Sequence, residues 1–187
     1  VIEDKIGTTI HDDQLNRYKE IAYKHCKGRI ENIYLAYIKT DNEPSSILSK
    51  VTTLGYNSIS RSDIIQCLKD YSGRNDNRLD YRKHLLRIEE ATANFKFLPE
   101  PQWGWYEWQG FYKDLETRLE INSWGYCPNQ SGGFLGIWWH YKPIPNGRMY
   151  LQIDQGKLCF KIEYYNKEDR SKARNEYSGK LIRIAKD

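Results

Sequence analysis

Apolar positions along the chain alternate between strand-like and helical spacing, and a change of composition falls near Pro99. Residues 1–6, Val-Ile-Glu-Asp-Lys-Ile, read as a short strand. A polar turn runs from Gly7 to Asp13. Leu15, Tyr18, Ile21, Ala22 and Cys26 then recur at helical spacing. Asp12 or Asp13 is placed to cap that helix, over about 13–26, and Gly28 to end it. Residues 32–39 make a second, buried-looking strand. Strand, helix, strand in this order is a βαβ unit, whose crossover lays the two strands parallel in one sheet.

Residues 40–56 are polar, with Pro44 and several Ser and Thr, and read as a loop. A short strand follows near Tyr56–Ser60. Ser62 or Asp63 can cap a helix over about 63–71, and a longer helix covers about 78–94 with Leu79, Leu85, Leu86 and Ile88 as apolar positions. At Pro99 and Pro101 the composition changes. Helical spacing returns over about 107–119, where Trp108, Phe111, Tyr112, Leu115 and Leu119 share a face. Strands are expected over about 121–127, 134–142, 148–155 and 157–164, parted by turns at Asn129–Gly133 and Pro143–Gly147 and a tight Gln155-Gly156 hairpin. A basic helix from Lys167 to Lys186, weakened at Gly179, closes the sequence. The organisation expected is a front portion, 1–98, and a back portion, 99–187, packed as one unit.

Composition narrows the classes. The 187 residues are 39% hydrophobic and 29% charged, which describes a globular chain rather than a disordered one. Apolar runs fall short of the roughly 20 residues that span a bilayer, and no segment has the layout of a signal peptide. No membrane partner and a cytoplasmic location are therefore expected. A net charge of +4 and a pI near 8.7 permit contact with nucleic acid without requiring it. Cys26, Cys67, Cys127 and Cys159 are scattered, with no zinc spacing, and are expected to be reduced thiols.

Other chemistries find no pattern. His11, His25, His84 and His140 are isolated. No Ser-His-Asp order or G-x-S-x-G elbow is present, and Gly132-Gly133 is a turn signal rather than a phosphate loop. All six Trp lie between Trp103 and Trp139. Both faces of Phe134–Tyr141 are apolar or aromatic, which suits a core. Trp103, Trp105 and Trp108, flanked by Pro and Gly, are the better candidates for exposed, base-stacking rings. The cations of 167–186, and Arg78, Arg82, Lys83 and Arg87, read as solvated helix faces, with phosphate contact the alternative.

One constellation carries chemistry. Side chains alternate along a strand, so Glu3 and Lys5 share a face and Asp4 points away. A carboxylate can hold a hard cation such as Mg²⁺ through oxygen. The cation polarises a phosphodiester and acidifies a bound water. The lysine orients that water or neutralises developing charge. An E-x-K tripeptide alone is usually a surface pair worth under about 1 kcal/mol. Its context adds weight: an apolar strand, a turn, then a helix on which Gln14 and Tyr18, four apart, share a face.

Ile2-Glu3-Asp4-Lys5-Ile6, a loop, and Gln14-x-x-x-Tyr18 resemble the PD-(D/E)XK nuclease superfamily in its RecB-like branch. The back half is similar to a bacterial subfamily in which a Trp-Phe-Tyr helix (here Trp108-Gln109-Gly110-Phe111-Tyr112) precedes a Gly- and Trp-rich sheet (here Gly132-Gly133 through Trp138-Trp139). The resemblance implies that Glu3 is a metal ligand and Lys5 the catalytic lysine. Gln14 and Tyr18 are implied as accessory groups near DNA or the metal, Mg²⁺ or Mn²⁺ as cofactor, and DNA as partner. The fold implied is α/β (α+β overall): a truncated restriction-endonuclease-like βαβ core, then an aromatic-rich antiparallel sheet with flanking helices. The family's other metal-binding Asp sits on a preceding strand. This sequence opens at Val1, without methionine and already inside a strand, so it reads as a fragment expected to be inactive by itself. Asp12 or Asp13 could lend an oxygen, and His11 could approach the phosphate. The function expected is a metal-dependent DNA nuclease. The alternative is a non-catalytic nucleic-acid- or protein-binding module on the same scaffold.

Overall fold

The computed structural model describes residues 2–5, 10, 13–69, 71–73, 75–130 and 132–184, with 2–5 and 184 described in backbone only. The chain forms two compact units, Val1–Thr117 and Arg118–Asp187. The compositional seam at Pro99 and Pro101 lies inside the first. The protein combines a parallel sheet with an antiparallel one, so the mixed α/β class expected from the sequence is what is observed.

The first unit begins with β1 (Ile2–Lys5), α1 (Gln14–His25), β2 (Ala36–Lys39), α2 (Ser45–Thr53) and β3 (Asn57–Ser60). The three strands run parallel in the order β1-β2-β3, as the βαβ reading required. Leu15 of α1 and Val51 of α2 pack with Leu35, Tyr37 and Tyr56, and Ile10, Ile33, Ile47 and Leu54 surround them. Both helices thus cover the sheet face that carries Tyr37. The Tyr56 hydroxyl ties α1 to this core by donating to Leu15 O at 2.8 Å. At its far end α1 stops in a Schellman turn. Gly28 N–H donates to Tyr23 O (3.0 Å) and Lys27 N–H to Lys24 O (3.1 Å), with Lys27 and Gly28 at φ 51° and 79°.

Three expectations are corrected here. The second strand is four residues long rather than eight, because Ile30–Asn32 form a 3-10 turn. The polar stretch 40–56 is not a loop, since it contains α2. Ser and Thr are poor helix formers, but Ile47, Val51 and Leu54 recur at i, i+4 and i+7, and their burial decides the conformation. The helix after β3 is capped by Ser60, not by Ser62 or Asp63. Ser60 N–H and Oγ–H donate to Asp63 Oδ2 (2.8 and 2.6 Å), and Asp63 N–H donates back to Ser60 Oγ (3.3 Å). This reciprocal cap lets α3 (Arg61–Lys69) start directly off the strand.

The unit continues with α4 (Asp76–Ala93) and α5 (Trp105–Leu115). Asn75 Oδ1 caps α4 by accepting from Arg78 N–H at 3.2 Å. The Gly104 N–H donates to Glu107 Oε2 at 3.0 Å at the start of α5. The two helices meet so closely that a Cβ on Gly110 would lie 1.9 Å from Thr92 O. Around this crossing Trp108 is buried, which corrects the expectation of an exposed ring. Trp103 stacks edge-on against it with centroids 4.8 Å apart. Its indole N–H donates to Leu98 O at 2.9 Å. Trp105 is half-buried.

The second unit is an antiparallel meander of β4 (Ile121–Cys127), β5 (Phe134–Ile144), β6 (Gly147–Asp154) and β7 (Lys157–Tyr164), followed by α6 (Arg170–Ile184). Trp124, Leu135 and Ile137 are buried on one sheet face, while Phe134, Trp138, Trp139 and Tyr141 are half-buried, so the core expected over Phe134–Tyr141 is formed mainly by its aliphatic positions. Gln155 and Gly156, at φ 40° and 88°, form the tight hairpin between β6 and β7. The β5–β6 register shifts between Trp139 and Lys142, where His140 takes φ 58°, as at a β-bulge. All four cysteines are free thiols. Lys172, Arg174, Lys180 and Arg183 of α6 are exposed, while Ala173 is buried. No described helix is long and apolar enough to cross a membrane.

Candidate active site at the carboxyl edge of the parallel sheet

Parallel strands pair residues side by side on one face, so register decides which side chains can meet. Glu3 lies opposite Tyr37 and Lys5 opposite Lys39. On the other side Tyr37 pairs with Ser58 and Lys39 with Ser60. Glu3, Lys5, Tyr37, Lys39, Ser58 and Ser60 therefore occupy positions on the same sheet face. The side chains of Glu3 and Lys5 lie outside the described residues, as do His11 and Asp12.

Tyr37 and Lys39 converge on one carboxylate. The Tyr37 hydroxyl donates to Glu43 Oε1 at 2.9 Å, and Lys39 Nζ lies 3.1 Å from the same oxygen. The Lys39 and Glu43 side chains are 7% and 2% exposed. The other oxygen, Glu43 Oε2, is buried and has no hydrogen-bond partner among the described residues.

This group forms part of the wall of a cleft of about 400 Å³ beyond the carboxyl ends of β2 and β3, the edge at which ligands bind in open parallel sheets. Lys39, Asp41, Asn42, Glu43, Ser58, Ser60 and Arg61 form its sheet side, and Glu89, Thr92, Lys96, Lys113 and Asp114 contribute from α4, α5 and the turn between them. Arg61 ties these walls together. It donates from Nη1 to Thr40 O (2.6 Å), from Nη2 to Asn42 Oδ1 (3.3 Å) and Thr92 Oγ1 (3.4 Å), and from Nε to Glu89 Oε2 (2.7 Å). Asn42 in turn donates from its backbone N–H and from Nδ2 to Gln109 Oε1 (3.2 and 3.3 Å). Burial, helped by the nearby Asp41 carboxylate, pushes the Tyr106 phenol up, with Arg61 opposing.

Gln14 and Tyr18 do come together. Gln14 Nε2 donates to the Tyr18 hydroxyl at 3.1 Å across the first turn of α1. Asp13 holds the N-cap position, where its Oδ1 accepts from Asn16 Nδ2 at 2.5 Å.

A hard divalent cation takes carboxylate oxygens. Glu43 Oε2 is such an oxygen, desolvated and unclaimed, and Asp41 adds a carboxylate to the same cleft. Lys39, Arg61, Lys96 and Lys113 line the same cleft, so its cations match its carboxylates, Asp41, Glu43, Glu89 and Asp114, in number. Among the described residues no group of three or more His, Cys, Asp or Glu is placed to hold a metal ion. Lys39, Asp41, Glu43 and Arg61 were not singled out from the sequence. The available signal was a lysine ending a buried strand in step with Tyr37, with Glu43 four residues on.

No protein-family model matches this chain, and no curated protein or solved structure matches it.

Proposed function

We propose that the protein is a metal-dependent DNA nuclease of the PD-(D/E)XK type, hydrolysing phosphodiesters at the carboxyl edge of the parallel sheet. The observation that carries this reading is the register of β1 on β2, which sets the Glu3 and Lys5 positions beside Tyr37 and Lys39 on one face. Gln14 and Tyr18, already bonded to each other at the start of α1, stand in the positions that follow E-x-K in such enzymes.

In this reading Glu3 is the cation ligand. Lys5 orients the attacking water and offsets charge gathering on the phosphate. Lys39, paired with Glu43, is neutralised and holds the cleft wall in place, so the two lysines of one register row have different tasks. Gln14 and Tyr18 contact the DNA or the ligand carboxylate. Mg²⁺ or Mn²⁺, when bound, supplies Lewis acidity at the scissile phosphate.

Incubating the protein in its full-length form with supercoiled plasmid and Mg²⁺ or Mn²⁺, and comparing it with Lys5→Ala, tests the assignment. The expected result is cleavage that falls at least about 100-fold in the variant, the scale on which an electrostatic stabiliser acts. Equal cleavage by both proteins would sink the role of Lys5. DNA binding that weakens with salt, without cleavage under either ion, would leave the non-catalytic module instead.

A further inference from the structure

We propose that two copies of the chain pair edge to edge through β7, antiparallel about a two-fold axis at Phe160, to make one continuous sheet. The pairing stands whether or not the protein cuts DNA.

β7 ends the order β4-β5-β6-β7, so among the described residues no strand lies beyond it. The two-residue turn at Gln155-Gly156 makes Asp154 and Lys157 a pair that exchanges hydrogen bonds. By alternation Cys159, Lys161 and Glu163 also turn their backbone groups toward β6. Leu158, Phe160, Ile162 and Tyr164 turn theirs outward. At Tyr164 the outward carbonyl accepts from Arg170 Nε at 3.1 Å, which closes that end of the edge. Sheet edges are commonly blunted by proline or a bulge. β7 contains no proline, and its register on β6 runs unbroken from Lys157 to Tyr164.

The side chains point to what fills the edge. Trp124, Ile137, Ile153 and Leu158 form one apolar row across the sheet, and Trp139, Leu151 and Phe160 form the next. Trp124 and Ile137 are buried, yet Leu158 and Phe160, at the open end, are 62% and 59% exposed. A second β7 centred on Phe160 extends both rows. Phe160 meets the partner's Phe160, and Leu158 meets the partner's Ile162. On the opposite face Lys157 meets the partner's Glu163, and symmetry repeats that contact at the other end. Moving the axis one residue toward the turn sets Lys157 against the partner's Lys161. Moving it one residue the other way sets Lys161 against the partner's Lys161. Both shifts oppose like charges, which destabilises a strand pair. Charge complementarity thus selects a second copy of β7 and fixes its register.

Sedimentation equilibrium of the 187-residue chain, at concentrations up to about 1 mM to reach weak contacts, tests this. A monomer–dimer equilibrium is expected. Phe160→Lys puts like charges on the axis, and Lys157→Glu faces the partner's Glu163. Each is expected to weaken dimerisation about tenfold. A monomer throughout would overturn the proposal, and so would dimerisation that both variants leave unchanged. Hydrogen exchange on the unmodified chain decides without any substitution. Raising the concentration is expected to slow the amides of Leu158, Phe160 and Ile162, while those of Cys159 and Lys161, turned toward β6, keep their rates. Protection confined to other segments would mean a different interface and refute pairing at β7.

Discussion

The Tyr37 hydroxyl, fully buried, donates a 2.9 Å hydrogen bond to Oε1 of Glu43, itself buried in the wall of the cleft. Removing that donor leaves half of a buried carboxylate to Lys39 alone. Tyr37→Phe is expected to cost about 1.5–3 kcal/mol, the range for hydrogen bonds to charged groups. Urea unfolding of the two proteins measures it. A change below about 0.5 kcal/mol would show that the bond does not matter to stability.

Gly110 and Gly179 both sit in helices and should respond in opposite directions to Ala. At Gly110 the new methyl would meet the Thr92 carbonyl at 1.9 Å, a backbone atom that cannot swing aside. Gly110→Ala is expected to cost about 3 kcal/mol by forcing α4 and α5 apart. At Gly179 nothing lies within 4 Å. Gly179→Ala is expected to stabilise α6 by about 0.5–1 kcal/mol through lower backbone entropy in the unfolded chain. Denaturation midpoints check the first, and hydrogen exchange of the α6 amides checks the second.

The Ser60–Asp63 cap makes part of the stability of α3 depend on pH. Hydrogen bonds from the Ser60 hydroxyl and backbone hold the Asp63 carboxyl below its usual range, against a small opposing effect of burial. Because the folded pKa is the lower one, the cap contributes fully above the unfolded Asp value of about 3.9. The contribution is lost as pH falls through the lowered folded value. Ser60→Ala is expected to cost about 1 kcal/mol at pH 7, with the difference from wild type shrinking in strong acid. A constant difference from pH 7 down to pH 2 would contradict the assignment.

Arg61 is buried and uses Nε, Nη1 and Nη2 on four partners. Lysine keeps the charge but has no planar fork to reach Thr40, Asn42, Thr92 and Glu89 together. Arg61→Lys is expected to lose about 2 kcal/mol, from stranded acceptors at Thr40 and Asn42. Chemical denaturation checks this, and wild-type stability in the variant would mean that the charge alone suffices.

Much of the fold is legible in the sequence because its signals are local. The four strands of the second unit follow from alternation and from turn residues such as Gln155-Gly156, whose positive φ the hairpin needs. The parallel pairing of β1 and β2 follows from strand, helix and strand in series. The Gln14–Tyr18 bond follows from a spacing of four on a helix. Tertiary structure alone decided that Ser45–Thr53 is a helix, because burial of Ile47, Val51 and Leu54 outweighs the poor propensities of Ser and Thr. It also decided that Trp108 is buried, where helix crossing at Gly110 brings α4 and α5 into contact. The reach of Arg61 to residues 19 to 31 positions away belongs to the same class. No periodicity encodes contacts between distant segments, since they exist only once the sheet register and helix packing have set which side chains share a wall.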